Sequence, residues 1–225
     1  MRFGVASCDI VPPFRTKMAG YGARDDTFDG VNDPLTYTAI VLEEGNRRAL
    51  LGAVDLCRFP VEWESKCVLN RLARAAGCPR DNVMINASHT HGGPDTQGRY
   101  CNWLYDQVTE CTRQAASRLR KGTLWYGEGR TNLPMNRRPK RGGRVLNAPN
   151  PGGPTDRRLQ FLVIRDHAGR PAVVGMKVSC HPVATGAQHL LTADYPGAWR
   201  AAFSQAFGPK VVPVFLQGAG ADARP

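Results

Sequence analysis

The sequence predicts a single-domain α/β protein in which a mixed β-sheet core is flanked by helices. Short aliphatic and β-branched runs alternate with helical stretches along the 225 residues. No internal repeat or break in composition marks a second domain. One core is sufficient for a chain of this length, because single domains commonly reach about 200–250 residues.

Strands are predicted where aliphatic and β-branched residues cluster between turn-forming residues. Each such run is too short for a typical helix and is bounded by Gly, Pro, Asn or Asp. In chain order the predicted strands are Phe3–Val11, Thr36–Glu43, Ala49–Leu56, Asn82–Ala87, Thr123–Tyr126, Leu159–Arg165, Ala172–Ser179 and Val211–Leu216.

Three helices are predicted from apolar residues at helical spacing. The first opens at Pro60-Val61-Glu62 and stops at Gly77-Cys78-Pro79. The second covers Arg99–Lys121 and closes at Gly122 as its C-cap. The third runs from about Tyr195 to Phe207.

The formal net charge of +11 is concentrated in one segment of the chain. From Arg130 to Arg158 the chain contains eight basic residues and a single acidic residue, Asp156, so this segment should attract anions. It contains no interleaved aromatic residues and no nucleic-acid-binding motif accompanies it, so we expect no nucleic-acid partner. The Pro, Gly, Asn and Arg content from Leu133 to Pro154 predicts a long surface loop.

The sequence gives no indication of a membrane span or signal peptide. No segment approaches the roughly 18 consecutive apolar residues that a span requires. At the N-terminus an apolar region is interrupted by Asp9 and followed by Pro12-Pro13. The seven cysteines are odd in number and form no C-x-x-C pair, which favours reduced thiols and a reducing, cytoplasmic compartment by default.

The segment Ser88-His89-Thr90-His91-Gly92-Gly93-Pro94 places two histidines two positions apart at the end of a predicted strand. The two-residue period of a strand would aim both imidazoles to the same side. Neutral imidazole is a good zinc ligand, and the two glycines leave room for a ligand near the backbone. The alternative is a pair of hydrogen-bonded surface or core histidines.

A further histidine, His181, also ends an apolar strand, where α/β sheets place their sites. His189 and Asp194 follow it, although Asp194 precedes Tyr-Pro-Gly and also fits a helix N-cap. Asp55 ends another predicted strand, and both Asp55 and Asp194 could orient metal-binding histidines as hydrogen-bond acceptors. For Asp55 the alternative is an ordinary loop or cap carboxylate. His167 lies in a predicted hairpin turn and should be exposed.

Six motifs occur in the order in which the neutral/alkaline ceramidase family has them. They are Ala6-Ser7-Cys8-Asp9-Ile10-Val11-Pro12-Pro13 with Met18-Ala19-Gly20-Tyr21-Gly22, Ser88-His89-Thr90-His91-Gly92-Gly93-Pro94, Asn136-Arg137-Arg138, Cys180-His181-Pro182-Val183, Ala193-Asp194-Tyr195-Pro196-Gly197, and Gln217-Gly218-Ala219-Gly220-Ala221-Asp222-Ala223-Arg224-Pro225. The chain therefore resembles the N-terminal, zinc-binding part of that family, and the match runs from end to end.

The resemblance implies a zinc-dependent hydrolase of N-acyl amide bonds that takes a lipid or small-molecule substrate. In the family the reaction converts ceramide to sphingosine and a fatty acid. Carried over by motif, the zinc ligands are His89 and His181. The second histidine of the H-T-H motif, His91, and Arg137 then face the substrate and the oxyanion.

Two departures from the family pattern shape our expectations. The family's further zinc ligands, a Glu and a Tyr, lie downstream of position 225, so we expect an incomplete metal site that His189, Asp95 or Asp194 could complete. Arg224 stands where family ceramidases carry a serine, so the substrate need not be ceramide. The alternative function is a truncated or non-catalytic ceramidase-like module with a partial metal site.

Overall fold

The computed structural model describes residues 1–24, 26–60 and 63–225, with the side chains of 63–67 outside the description. Its helices are α1 (Trp63–Ala76), α2 (Gly98–Ser117) and α3 (Tyr195–Phe207), and a short 3-10 turn covers Arg80–Asn82. Its strands are β1 (Arg2–Asp9), β2 (Gly30–Val31), β3 (Thr36–Glu44), β4 (Arg47–Val54), β5 (Val83–Ala87), β6 (Arg120–Arg130), β7 (Met135–Asn136), β8 (Lys140–Arg141), β9 (Arg144–Val145), β10 (Arg158–Asp166), β11 (Pro171–Val178), β12 (Leu190–Leu191), β13 (Val212–Gln217) and β14 (Ala223–Arg224).

Eight of these strands form one mixed sheet in the order β13-β11-β10-β6-β1-β3-β4-β5. The pairs β4/β5 and β11/β13 are parallel, and the remaining neighbours are antiparallel. β6 joins the two halves, because its first residues pair with β1 and the rest pair with β10. The predicted α/β architecture with a mixed sheet in a single domain is confirmed.

The two outermost strands of the sheet, β5 and β13, meet through a side chain. The Asn86 amide donates to the Gln217 carbonyl at 3.1 Å, and the Gln217 backbone N–H donates to Asn86 Oδ1 at 2.8 Å. The sheet is therefore folded over so that its edges approach each other. Residues from both halves form one apolar cluster that includes Phe3, Ile40, Ile164, Val173 and Val214.

The helices cover the sheet with their apolar stripes. The predicted stripe of α2 is buried as Leu104, Val108, Cys111 and Ala115 against the β1/β3/β4 half. On the other half, α3 packs its first turns around Phe215 of β13. None of the helices described here is long and apolar enough to cross a membrane.

The predicted boundaries hold for most elements. The third helix has the predicted bounds, because Asp194 caps its start and Gly208, at φ 80°, ends it. Apart from β6, each predicted strand starts and ends within two residues of the observed one. The predicted start of the first helix lies partly outside the described residues, which omit Val61 and Glu62.

The predicted end of the second helix is wrong. The helix stops at Ser117 instead of Lys121, and Gly122 is a strand residue rather than a C-cap. A Cβ on Gly122 would lie 2.5 Å from the Arg165 carbonyl oxygen and 2.6 Å from the Phe3 ring. Gly122 is therefore required by close strand and ring packing, and the β6 pairings override the helical pattern at this point.

The segment predicted as a long loop contains more structure than expected. β8 and β9 form a hairpin whose turn, Gly142-Gly143, has φ values of 55° and 74°. Two consecutive positive φ angles give the mirror-image turn that suits the twist of a hairpin. In addition, β7 pairs with β14 across a long sequence separation.

Candidate metal centre

The candidate site lies beyond the carboxyl ends of the two parallel strand pairs. His89 follows β5, Cys57 follows its neighbour β4, and His181 follows β11. The Asn86–Gln217 contact brings these strand ends together. They border an open cleft of about 580 Å³ that is lined by Asn86, Ala87, His89, His181 and residues 217–222.

Three histidine rings meet at this cleft. The ring centroids of His89 and His181 are 4.5 Å apart, those of His89 and His91 are 5.1 Å apart, and those of His91 and His181 are 5.0 Å apart. The structure thus brings together His89, His91 and His181, but not His189, the fourth candidate histidine.

His89 reaches the cluster by a backbone turn rather than by strand alternation. β5 ends at Ala87, and His89 has a φ of 66°, which non-glycine residues rarely adopt. Its backbone N–H donates to the Leu56 carbonyl at 2.9 Å and fixes this conformation. The two-residue period of a strand was therefore the wrong explanation for the placement of His89 and His91 on the same side. Backbone strain of this kind costs about 1–3 kcal/mol and clusters at functional sites.

The hydrogen bonds of His89 and His181 determine which ring nitrogen carries the proton. His89 Nδ1 lies 2.5 Å from the Cys57 carbonyl oxygen, and His181 Nδ1 lies 3.1 Å from the Gly220 carbonyl oxygen. A carbonyl only accepts, so each Nδ1 carries the proton and donates. Each Nε2 then has a lone pair, which is the arrangement found in metal-binding histidines. At His181 this lone pair accepts from Arg137 Nη2 at 3.3 Å.

His91 differs because both of its ring nitrogens are buried without a hydrogen-bond partner in the described part of the chain. The pKa of His91 is lowered to about 4, mainly by burial and in addition by the nearby His89, His181 and Arg137. The ring is therefore neutral near pH 7. A buried polar group without a partner costs about 1–3 kcal/mol, so this ring is suited to accept a ligand or a substrate group.

Burial also lowers the pKa of His181 to about 4. The Gly220 carbonyl acts in the opposite direction, and Arg137 and His89 reinforce the decrease. At neutral pH the His181 imidazole is consequently uncharged, as a metal ligand must be.

The guanidinium of Arg137 lies beside two residues that line the cleft, His181 and Ala221. Its Nε and Nη2 donate to the Ala221 carbonyl at 3.1 and 3.0 Å, and Nη2 lies 3.3 Å from His181 Nε2. Its backbone N–H donates to the Asp222 carbonyl at 2.8 Å. Arg138 approaches the Ala221 carbonyl at 3.5 Å, whereas most of the basic segment is exposed.

Cys57 is one of two site residues that the sequence reasoning missed. Ligand atoms of Cys57, His89 and His91 all lie within 4.8 Å of one another, so these three could hold a metal ion. Burial raises the pKa of the Cys57 thiol, which keeps it protonated and makes it a weaker ligand. The position of Cys57 beyond β4, the parallel neighbour of β5, is the sequence signal that could have identified it.

Arg24 supports His91 from the N-terminal segment and was also missed. Its Nη2 donates to the His91 carbonyl at 2.7 Å, and its Nη1 donates to the Gln188 carbonyl at 2.9 Å. Tyr21 packs edge-on against the His91 ring, with centroids 5.0 Å apart. Gly20 lies so close that a Cβ there would come within 2.6 Å of His91. No local sequence pattern predicts these long-range contacts.

The contacts of Asp55 are those of an ion pair rather than of a histidine-orienting acceptor. Its carboxylate receives Arg200 in a two-point contact at 3.0 and 2.6 Å. The Thr36 backbone N–H and hydroxyl donate to the same carboxylate. Asp55 thus holds α3 against the end of β4.

Asp194, Asp95 and His189 also have other partners. Asp194 caps α3 through the Tyr195 N–H and accepts from the Thr185 N–H and hydroxyl, which agrees with the N-cap alternative. Asp95 lies 4.0 Å from an Arg58 nitrogen. His189, 44% exposed, faces the surface carboxylates of Asp26 and Asp29 at 4.0 and 3.7 Å. His167 is exposed, as expected.

Comparisons with known proteins agree with the resemblance seen in the motifs. No family model matches the chain. The neutral ceramidase of Mycobacterium tuberculosis is 35% identical over 98 residues, which cover 41% of this chain and 15% of that protein. The neutral ceramidase of Pseudomonas aeruginosa is 27% identical over 146 residues, which cover 57% of this chain and 22% of that protein.

The solved structures cover the chain completely. A ceramidase described as complexed with C2 superposes with a TM-score of 0.84 and 25% identity over 100% of this chain and 38% of its own. The chain is a neutral ceramidase-like domain. The crystal structure of neutral ceramidase from Pseudomonas aeruginosa gives a TM-score of 0.82 at 24% identity, over 100% of this chain and 39% of that one. The ceramidase-like domain therefore spans well under half the length of the relatives it matches.

Proposed function

We propose that this ceramidase-like domain carries the histidine part of the active site of a zinc-dependent hydrolase. The bond cleaved is an N-acyl amide, as in the conversion of ceramide to sphingosine and a fatty acid by neutral ceramidases. The proposal is supported chiefly by the convergence of three histidine rings at the strand ends. Two of these rings have their Nδ1 held by backbone carbonyls.

The donor set fits a zinc ion. His89 and His181 would hold it through Nε2, because their Nδ1 atoms carry the proton and donate to backbone carbonyls, and the ion would take the place of the Arg137 contact at His181 Nε2. When bound, zinc polarises the carbonyl group of a substrate and lowers the pKa of a water molecule. Cys57 is a weaker candidate ligand for two reasons. The pKa of its thiol is raised, and the nearest His89 nitrogen, Nδ1, already donates to the Cys57 carbonyl.

His91 and Arg137 would act on the substrate. Ala221 anchors Arg137 through Nε and Nη2, which leaves Nη1 for the carbonyl oxygen of a substrate as it gains negative charge. The neutral ring of His91 has two unpartnered nitrogens, of which one can donate a hydrogen bond to the reacting groups and the other can accept one from them. Arg24 and Gly20 keep His91 in this position.

A non-catalytic ceramidase-like module with a partial metal site is the second candidate. Catalytic zinc sites usually have three protein ligands and a water molecule. Among the described residues, the group that could hold a metal contains no carboxylate, and Asp95 and Asp194 have other partners. Metal binding without turnover is the property that separates this candidate from the hydrolase.

A zinc competition titration tests the metal assignment. His89→Ala and His181→Ala should each weaken zinc binding by more than about 100-fold, because loss of even an outer hydrogen-bond partner costs 10–100-fold. The matched control His167→Ala changes an exposed histidine and should bind as the unaltered chain does. Equal affinity in all three variants would contradict the assignment.

A hydrolysis assay with a short-chain N-acyl sphingosine tests catalysis separately. Turnover that is zinc-dependent and falls by about 100-fold or more in Arg137→Gln supports the hydrolase. Zinc binding that requires His89 and His181, without turnover, identifies the non-catalytic module instead.

A further inference from the structure

An exposed basic hairpin projects from the edge of the cleft. We define it as residues 138–146, which contain β8, the Gly142-Gly143 turn and β9. Lys140 pairs with Val145 and Arg141 with Arg144, and the Leu146 N–H closes the base on the Pro139 carbonyl at 3.0 Å. The hairpin is thus an ordered element rather than a solvated basic loop.

The charges of the basic hairpin are unbalanced. Lys140, Arg141 and Arg144 are all exposed. Within the described parts of the chain none of them forms an ion pair, whereas Arg158 at the end of the segment is paired with Asp156 at 2.9 Å. No acidic residue occurs between Glu128 and Asp156. The hairpin therefore presents a purely positive field to its surroundings.

Aliphatic side chains are exposed beside these charges. Val145 is 58% exposed and Leu146 is 38% exposed, and Leu133 at the start of the segment is 37% exposed. Cations combined with exposed aliphatic residues are the pattern of surfaces that bind at the interface of an anionic bilayer. A surface for single-stranded nucleic acid needs aromatic rings for base stacking, and residues 129–155 contain none.

The chain segments on both sides of the basic hairpin are hydrogen-bonded to each other beside the cleft. The Ala148 N–H donates to the Arg137 carbonyl at 3.2 Å, and the Asn150 N–H donates to the Asn136 carbonyl at 2.9 Å. Arg137 itself contacts His181 in the cleft. A surface that held the hairpin would therefore also hold the cleft close to that surface.

We propose that the basic hairpin docks the domain onto an anionic lipid surface. The phosphate and carboxylate groups of the lipids pair with Lys140, Arg141 and Arg144, and Val145 and Leu146 enter the headgroup region. This proposal stands apart from the hydrolase proposal, because docking requires neither zinc nor turnover.

Vesicle co-sedimentation tests the proposal without substrate or metal. The probes are vesicles of phosphatidylcholine alone and vesicles containing about one third phosphatidylserine. We expect binding to the anionic vesicles and little binding to phosphatidylcholine. Each basic residue near such a surface contributes about fivefold to partitioning, so Arg141→Gln with Arg144→Gln should weaken binding about 25-fold.

A matched control removes the same charge elsewhere. Lys121→Gln with Lys210→Gln also lowers the net charge by two, and both lysines are exposed. Lys121 lies at the opposite end of β6 from the basic segment, about 30 Å away for a strand of this length. This variant should keep vesicle binding within about twofold of the unaltered chain, because surface charges beyond a Debye length are screened.

A second variant tests the apolar contribution. Val145→Ser with Leu146→Ser keeps every charge and should weaken binding at least about fivefold, also at raised salt. Circular dichroism and thermal melting confirm that the variants fold. The proposal is overturned if the arginine variant binds like the lysine control or if phosphatidylcholine vesicles bind equally well. Tighter binding to a single-stranded oligonucleotide than to the anionic vesicles would also overturn it.

Discussion

Replacing Asp55 by asparagine tests whether this residue is a structural ion-pair partner. The Asp55 side chain is 3% exposed and that of Arg200 is 14% exposed, so the pair is largely withdrawn from water. Both carboxylate oxygens receive a guanidinium nitrogen, and Thr36 donates twice more to one of them. Asparagine retains one acceptor oxygen but leaves the Arg200 charge without its counter-charge.

The expected loss follows from this geometry. Breaking a buried ion pair by removing one partner costs about 3–5 kcal/mol, because the remaining charge is desolvated and uncompensated. For a chain of this size each kcal/mol shifts Tm by about 2–4 °C, so Tm should fall by about 6–20 °C. Urea denaturation gives the free energy of unfolding, and a thermal scan gives Tm.

A double-mutant cycle with Arg200→Met provides the control. The double variant removes both charges, so no unpaired charge stays buried. Its loss in the free energy of unfolding should be smaller than the sum of the two single-variant losses by about 1–3 kcal/mol. A loss below about 1 kcal/mol in Asp55→Asn, or losses that simply add, would refute the ion-pair interpretation.

Two further predictions concern His91 and its neighbours. Burial lowers the pKa values of His91 and His181 from 6.5 to about 4. Between pH 6.5 and 4 the unfolded chain binds more protons than the folded one. The free energy of unfolding of the metal-free chain should therefore be highest above pH 6.5 and fall as the pH decreases toward 4. Denaturation midpoints measured across this range check the sign, and a rise in stability on acidification would contradict it. Gly20→Ala should displace the His91 ring and destabilise the chain by about 1–3 kcal/mol, because φ is 102° and a Cβ meets His91 at 2.6 Å. The control Gly22→Ala, with open space around it, should leave the His91 NMR resonances and the stability unchanged.

Local patterns predicted the elements that are stabilised locally. α3 has the predicted bounds because its cap, its Pro196 near the start and its closing Gly208 are adjacent in sequence. The end of α2 was predicted wrongly because Leu119 continues the apolar stripe while the backbone already leaves the helix to pair in β6. Strand pairing across the sheet cannot be inferred from a helical period.

The histidine cluster was predictable in membership but not in geometry. His89 and His181 both follow apolar strands, so their meeting at one sheet edge follows from topology. The left-handed backbone of His89 and the contribution of Cys57 depend on β4 lying beside β5. Arg24 reaches the His91 carbonyl across 67 positions, a contact that no short sequence window contains.

The Asn86–Gln217 contact also bears on the order in which the molecule folds. The first 117 residues contain one half of the sheet and its helices, namely β1, β3, β4, β5, α1 and α2. This half can therefore fold early during synthesis. The contact across the two sheet edges spans 131 positions, and long loops close slowly because their entropy is lost before the contact forms. His89 is in place with the first half, whereas His181 arrives with the second. We therefore expect the approach of His181 to His89 to be absent from any half-folded chain and to appear only when the last strands of the sheet have joined.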